Sequence, residues 1–115
     1  MPKVALFAYS AEPVGFTHVL LNAMEMKEKG YDVKVVIEGE ATKLVSLLRN
    51  DTKPGASEWK RAKQAGVIDC VCQACVAKNG VLTAVIEQGL KVCGEMAGHP
   101  SVATYMEQGY VVMTF

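Results

Sequence analysis

Gly66-Val67-Ile68-Asp69-Cys70-Val71-Cys72-Gln73-Ala74-Cys75-Val76-Ala77-Lys78-Asn79-Gly80 reads as a strand that hands the chain over to a helix. Residues 67–71 form a short apolar run, rich in β-branched side chains and launched by glycine, as buried strands are. Residues 73–78 suit a helix, and Asn79-Gly80 stops it, since both residues tolerate the left-handed conformation of a helix end. Cys72 therefore falls where strand becomes helix, with Cys75 three residues on and on the same side. Backbone N–H groups and the helix dipole favour negative charge at such a start, so a thiol there is expected to lose its proton readily.

The same punctuation recurs outward in both directions. Gly30, Gly66, Gly80, Gly89 and Gly109 each follow a helix-compatible stretch, and apolar segments come after them at residues 31–37, 67–72, 90–93 and 110–115. With residues 3–9 this predicts four or five strands alternating with helices. Under the right-handed crossover rule the pattern implies parallel β-α-β units. The expected architecture is a three-layer α/β/α sandwich with a mostly parallel sheet. A first helix is expected over about residues 15–29, with Phe16, Leu20, Ala23 and Met24 as its apolar stripe, and a second over about 41–50. Residues 51–56 form a turn-rich break. Ser57 is expected to cap the helix carrying Trp59 and Ala62, residues 83–88 to form a short helix, and Pro100 to open the last one.

Bulk properties limit the function. The 115 residues are long enough for a single core and predict one domain, residues 1–115. Twelve basic and twelve acidic side chains cancel, and no basic cluster appears, so neither nucleic acid nor an anionic membrane is an expected partner. No apolar run approaches a membrane span. The amino-terminal stretch continues into a strand pattern without a small-residue cleavage site, which points to a cytoplasmic protein. The half of the chain that is hydrophobic can build a core without staples, and three of the four cysteines crowd into residues 70–75. Reduced thiols are therefore expected rather than a disulfide scaffold.

Reactive groups of a parallel sheet gather at the carboxyl ends of its strands. That rim is expected to collect the four thiols Cys70, Cys72, Cys75 and Cys93, with His99 and the loop carboxylates Glu12 and Glu38, which read as solvated. Cys72 is the candidate nucleophile, and Cys75 is either a core residue or a resolving thiol. Cys70 reads as core filler, and Cys93 is open. His99 is the better candidate base, with His18 as an alternative. Asp69 is an odd carboxylate in an apolar strand and needs partners if buried. Cys72-x-x-Cys75 also fits a dithiol oxidoreductase, although the Trp-Cys-Gly-Pro context is absent. A metal site from Cys72, Cys75, Cys93 and His99 has suitable ligand types but lacks a second C-x-x-C. The first turn, Ser10-Ala11-Glu12-Pro13-Val14-Gly15-Phe16, is no nucleotide-binding loop, and no cofactor is expected.

Three pieces of the chain carry a family resemblance. They are the first strand and helix through Lys29-Gly30-Tyr31-Asp32-Val33-Lys34-Val35-Val36, the block from Gly66-Val67 through Cys72 to Gly80-Val81, and the ending Met106-Glu107-Gln108-Gly109-Tyr110-Val111-Val112. Together they resemble the DsrE/DsrF-like sulfur-relay family, which includes TusD-type sulfurtransferase subunits. There the reactive cysteine follows the third strand, eight residues before a glycine and an apolar residue, a place held here by Cys72. The resemblance implies a persulfide on Cys72, exchanged with sulfur donor or acceptor proteins, and homo- or hetero-oligomers, commonly trimers or hexamers. A sulfur carrier or sulfurtransferase-like protein is thus the leading expectation. Beside it stand a non-enzymatic binding or assembly module, and a dithiol oxidoreductase or metal-binding protein using the same cysteines.

Overall fold

The computed structural model describes residues 1–115. The elements follow one another as β1 (Lys3–Ala8), α1 (Pro13–Glu28), β2 (Asp32–Ile37), a 3-10 turn (Gly39–Ala41), α2 (Thr42–Leu47), α3 (Ala56–Ala65) and β3 (Ile68–Cys72). After them come α4 (Gln73–Asn79), α5 (Leu82–Glu87), β4 (Val92–Cys93), α6 (Val102–Glu107) and β5 (Val111–Thr114). The five strands make one all-parallel sheet in the order β4-β3-β2-β1-β5.

Topology decides how the helices divide. The steps β1 to β2, β2 to β3 and β3 to β4 all move in one direction, so right-handed crossovers put α1 to α5 on one face. Only the connection from β4 to β5 runs back across the sheet, and α6 alone lies on the opposite face. The first face holds a cluster of 21 buried residues, including Leu6, Phe16, Leu20, Val35, Trp59 and Val71. The second holds six, among them Phe7, Cys70, Tyr105 and Tyr110.

Local chemistry explains the main elements. In α1 the buried Phe16, Val19, Leu20 and Ala23 recur at helical spacing. The Glu12 carboxylate caps this helix, accepting the N–H groups of Val14 at 3.1 Å and Gly15 at 2.6 Å, with Pro13 opening its first turn. Trp59 packs on Phe16 with ring centroids 5.9 Å apart, and its indole N–H donates to Gln88 Oε1 at 2.9 Å. Gln88 Nε2 in turn donates to the carbonyls of Val45 and Ala84, which ties α2, α3 and α5 together. Gly66 and Gly80 end α3 and α4 with φ of 74° and 66°, the left-handed conformation that a side chain resists.

Several boundaries differ from expectation. Gly55 stands at the start of α3 and Ser57 lies within its first turn. The last helix starts at Val102, because the Ser101 hydroxyl accepts the Thr104 N–H at 3.2 Å; Pro100 stays outside it. The fourth strand shrinks to Val92–Cys93, and Leu90 packs against the larger core instead.

One irregularity matters for the site. Val35 pairs with Ile68 and Val36 with Cys70, which leaves Asp69 as an extra residue, a β-bulge. Ile68 packs on the larger cluster, Cys70 lies in the smaller one and Val71 in the larger. Alternation from there places the rim residue Cys72 on the Cys70 side.

Candidate functional site

The carboxyl ends of β1, β2 and β3 lie side by side, and the residues that follow them converge. Cys72 ends β3, and its Sγ is fully buried. The loop between β4 and α6 folds over it: Gly98 N–H donates to the Gly94 carbonyl at 3.0 Å, and Met96 and His99 exchange backbone hydrogen bonds at 2.9 and 3.0 Å. This loop delivers His99, whose Nδ1 lies 3.4 Å from Cys72 Sγ and 3.7 Å from Glu38 Oε1. Ala97 is held at φ 51° within the same loop, an unfavourable conformation that its hydrogen bonds maintain. Cys75, one turn into α4, accepts the Gly39 N–H at 3.2 Å through its sulfur. The Cys72, Cys75 and His99 ligand atoms all lie within 4.8 Å of one another. Tyr9, just beyond β1, completes the group: burial first, then the Glu38 carboxylate, pushes its hydroxyl up to about 12.

Cys72 departs from the expectation of a readily ionised thiol. Burial, followed by the neighbouring Cys75 and Glu38, pushes it up to about 12. The Cys75 backbone N–H at the helix start lowers it, but by less than burial raises it. The Ala74 N–H of the first turn is bonded to the Gly98 carbonyl at 2.8 Å, and the Cys72 S–H points to that same carbonyl at 3.8 Å. Desolvation therefore wins over the dipole of a short helix.

The other candidates separate into distinct places. Cys70 and Cys93 are joined in a disulfide, which corrects the expectation of four reduced thiols on one rim. Their side chains face α6 across neighbouring strands, close enough to bond, and Cys93 is thereby removed from the four-ligand metal site. The bulge turns Asp69 to the same side, where it accepts a hydrogen bond from the Tyr105 hydroxyl and lies 3.9 Å from Lys34. Asp69 thus has the partners a half-buried carboxylate needs, away from Cys72. Glu38, expected in solvent, has a side chain only 13% exposed. Glu12 is committed to its helix cap, while exposed His18 lines a separate cavity of about 370 Å³ with Ser10, Asn22 and Phe115, beside the ends of β1 and β5.

Tyr9 was not foreseen from the sequence, and Glu38 was foreseen only as a loop carboxylate. Each directly follows a parallel strand, and that position is the signal that finds both.

Comparison with known proteins agrees with this architecture. The DsrE/DsrF-like family model matches residues 4–115. An uncharacterized protein of Methanocaldococcus jannaschii, MJ0733, is 35% identical over 96 residues, covering 84% of this chain and 76% of its own. An uncharacterized protein of Archaeoglobus fulgidus is 38% identical over 40 residues, 35% of this chain and 66% of its own. Among solved structures, a conserved protein of unknown function from Bacteroides thetaiotaomicron, BT1422, superposes with a TM-score of 0.76 at 21% identity, covering 98% of this chain and 94% of that one. That likeness concerns the fold alone. No helix is long and apolar enough to cross a membrane. With a parallel sheet, a cysteine at the end of its third strand and a family match over nearly the whole length, the chain belongs to the DsrE/DsrF-like family.

Proposed function

We propose that the protein is a sulfur carrier that holds a sulfane sulfur on Cys72. The observation that carries this reading is the gathering of Cys72 Sγ, Cys75 Sγ and His99 Nδ1 within 4.8 Å at the strand ends. A buried thiol pushed up to about 12 needs a base, and the imidazole at 3.4 Å is placed to take its proton. The Cys72 thiolate then attacks the outer sulfur of a donor persulfide. A sulfur–sulfur bond forms on Cys72 as the donor thiolate leaves. Passing the sulfur on repeats the step with an acceptor thiol as nucleophile. In its absence Cys75 attacks the inner sulfur, giving a Cys72–Cys75 disulfide and hydrosulfide. Glu38 holds the exposed edge of His99, and the Gly39 N–H steadies the Cys75 sulfur.

This reading brings sulfur donor and acceptor proteins as partners in a cytoplasmic setting. Assembly of copies would cover the apolar Val111, Met113 and Phe115, each exposed on the outermost strand or directly after it.

Mass spectrometry of fully reduced protein after incubation with a sulfane-sulfur donor tests the proposal. A sulfur adduct on Cys72 is expected in Cys75→Ser, where the resolving thiol is gone, absent when Cys72→Ser is added and formed about a hundredfold more slowly when His99→Ala is added. A Cys72–Cys75 disulfide in the wild type with no adduct in Cys75→Ser, where nothing can discharge it, would instead identify a dithiol oxidoreductase.

The same three atoms favour a second reading, a soft divalent cation held by two thiolates and one imidazole, with Glu38 beside them. Zinc retained by reduced protein at one equivalent, and lost in Cys75→Ser, would support it.

A further inference from the structure

The Cys70–Cys93 disulfide floors a second cleft, of about 260 Å³, which Cys72, Cys75 and His99 do not line. Its walls are polar: Lys34, Asp69, Lys91, Glu95 and Tyr105. A staple that serves only stability has no need of such surroundings. In a reducing compartment, moreover, disulfides are usually transient and either catalytic or redox-sensing. The two sulfurs differ. Cys70 is only 3% exposed, whereas Cys93 is half-buried and reachable from the cleft. The Tyr105 hydroxyl lies 3.5 Å from Cys70 Sγ while it donates to Asp69. On the other side, Cys93 is the register partner of Cys72 in the neighbouring strand.

We propose that the Cys70–Cys93 disulfide is a reaction centre for hydrosulfide, which attacks Cys93 from the polar cleft and leaves its sulfur there as a persulfide. Lys34 and Lys91 draw the small anion in. Its lone pair forms a bond to Cys93 Sγ, the Cys70–Cys93 bond breaks, and the electron pair of that bond goes to Cys70 Sγ. The Tyr105 hydroxyl turns its proton from Asp69 toward the new Cys70 thiolate, a stabilised leaving group. The incoming sulfur is oxidised to the sulfane level as the disulfide takes up its two electrons, so no further oxidant enters. In a second step the Cys72 thiolate attacks the outer sulfur, which moves from Cys93 to Cys72 and frees the Cys93 thiolate. This second step rests on the carrier reading of Cys72; the first does not. Each disulfide converts one hydrosulfide.

The test uses the whole, oxidised protein, with one equivalent of sodium sulfide under anaerobic conditions, acid quenching, alkylation and peptide mapping. Cys70 is expected as a free thiol. The added sulfur is expected on Cys72 in Cys75→Ser, which cannot discharge it, and on Cys93 in Cys72→Ser. Tyr105→Phe, which keeps the ring in place, should slow the opening roughly ten- to a hundredfold, the worth of a hydrogen bond to a charged sulfur. A disulfide that opens only after denaturation would overturn the proposal. So would two thiols with no sulfur retained in Cys72→Ser, sulfur found on Cys70, or an unchanged rate in Tyr105→Phe. Sulfur that stays on Cys93 in Cys75→Ser leaves the disulfide step standing and removes the carrier role. Reduced protein that takes sulfur from a sulfane donor while the oxidised form ignores sulfide does the reverse.

Discussion

The two faces of the sheet are built for different purposes. Five helices cover one, over a large cluster of aliphatic residues with Trp59 and Phe16 at its centre. A single short helix covers the other, where tyrosines, a disulfide, a bulged aspartate and a lysine lie over a small cluster. Stability is thus concentrated where the chain reads as plain core, and the thin face is left for groups that react. Right-handed crossovers enforce the division, since only the final connection returns across the sheet.

Cutting into the packed face gives the largest expected effect. Trp59→Ala should cost about 4 kcal/mol in denaturant unfolding, through a cavity and the lost hydrogen bond to Gln88. Sulfur uptake per folded molecule should be unchanged; a matching loss of uptake would show that the faces are not separable. Next comes the clasp of the thin face. Joint replacement of Cys70 and Cys93 by Ala opens a loop of sequence separation 23 and should cost about 3 kcal/mol, measured without reductant. Third, Tyr105→Phe removes the hydroxyl that bonds Asp69 and should cost about 2 kcal/mol.

At neutral pH the smallest effect belongs to the rim. The folded state holds Cys72 at about 12 against an ordinary 9.0, and Tyr9 at about 12 against 10.0, so unfolded chains lose these protons first. The stabilisation is whole below about pH 9 and fades as pH rises through about 12. Unfolding midpoints between pH 8 and 11, roughly the window of these shifts, should fall less steeply in Cys72→Ala than in wild type. Equal slopes would mean that Cys72 does not hold its proton through burial.

Much of this arrangement was legible in the sequence. Glycines at the helix ends and β-branched runs between them marked four or five strands and the mostly parallel class. Cys72 was found at its strand-to-helix turn because that boundary is a local signal. Its raised pKa was not legible, since a distant loop covers the thiol and takes the Ala74 N–H. The disulfide was hidden for a related reason: Cys70 and Cys93 become neighbours only once β4 settles beside β3. Glu38 looked like an ordinary loop carboxylate until His99 arrived from beyond β4.

The extra residue at Asp69 works as a parity switch. In an unbroken two-residue alternation, with Ile68 turned to the five-helix layer, Cys70 and Cys72 would turn there too, and Val71 would face α6. One surplus residue reverses this for the rest of the strand. Sulfur that would have been sealed among aliphatic side chains is exported to the layer with an opening. Deleting Asp69 would therefore remove the bulge and leave both sulfurs on their present side, whereas one further residue inserted in regular pairing after it would send them to the wrong side of the sheet.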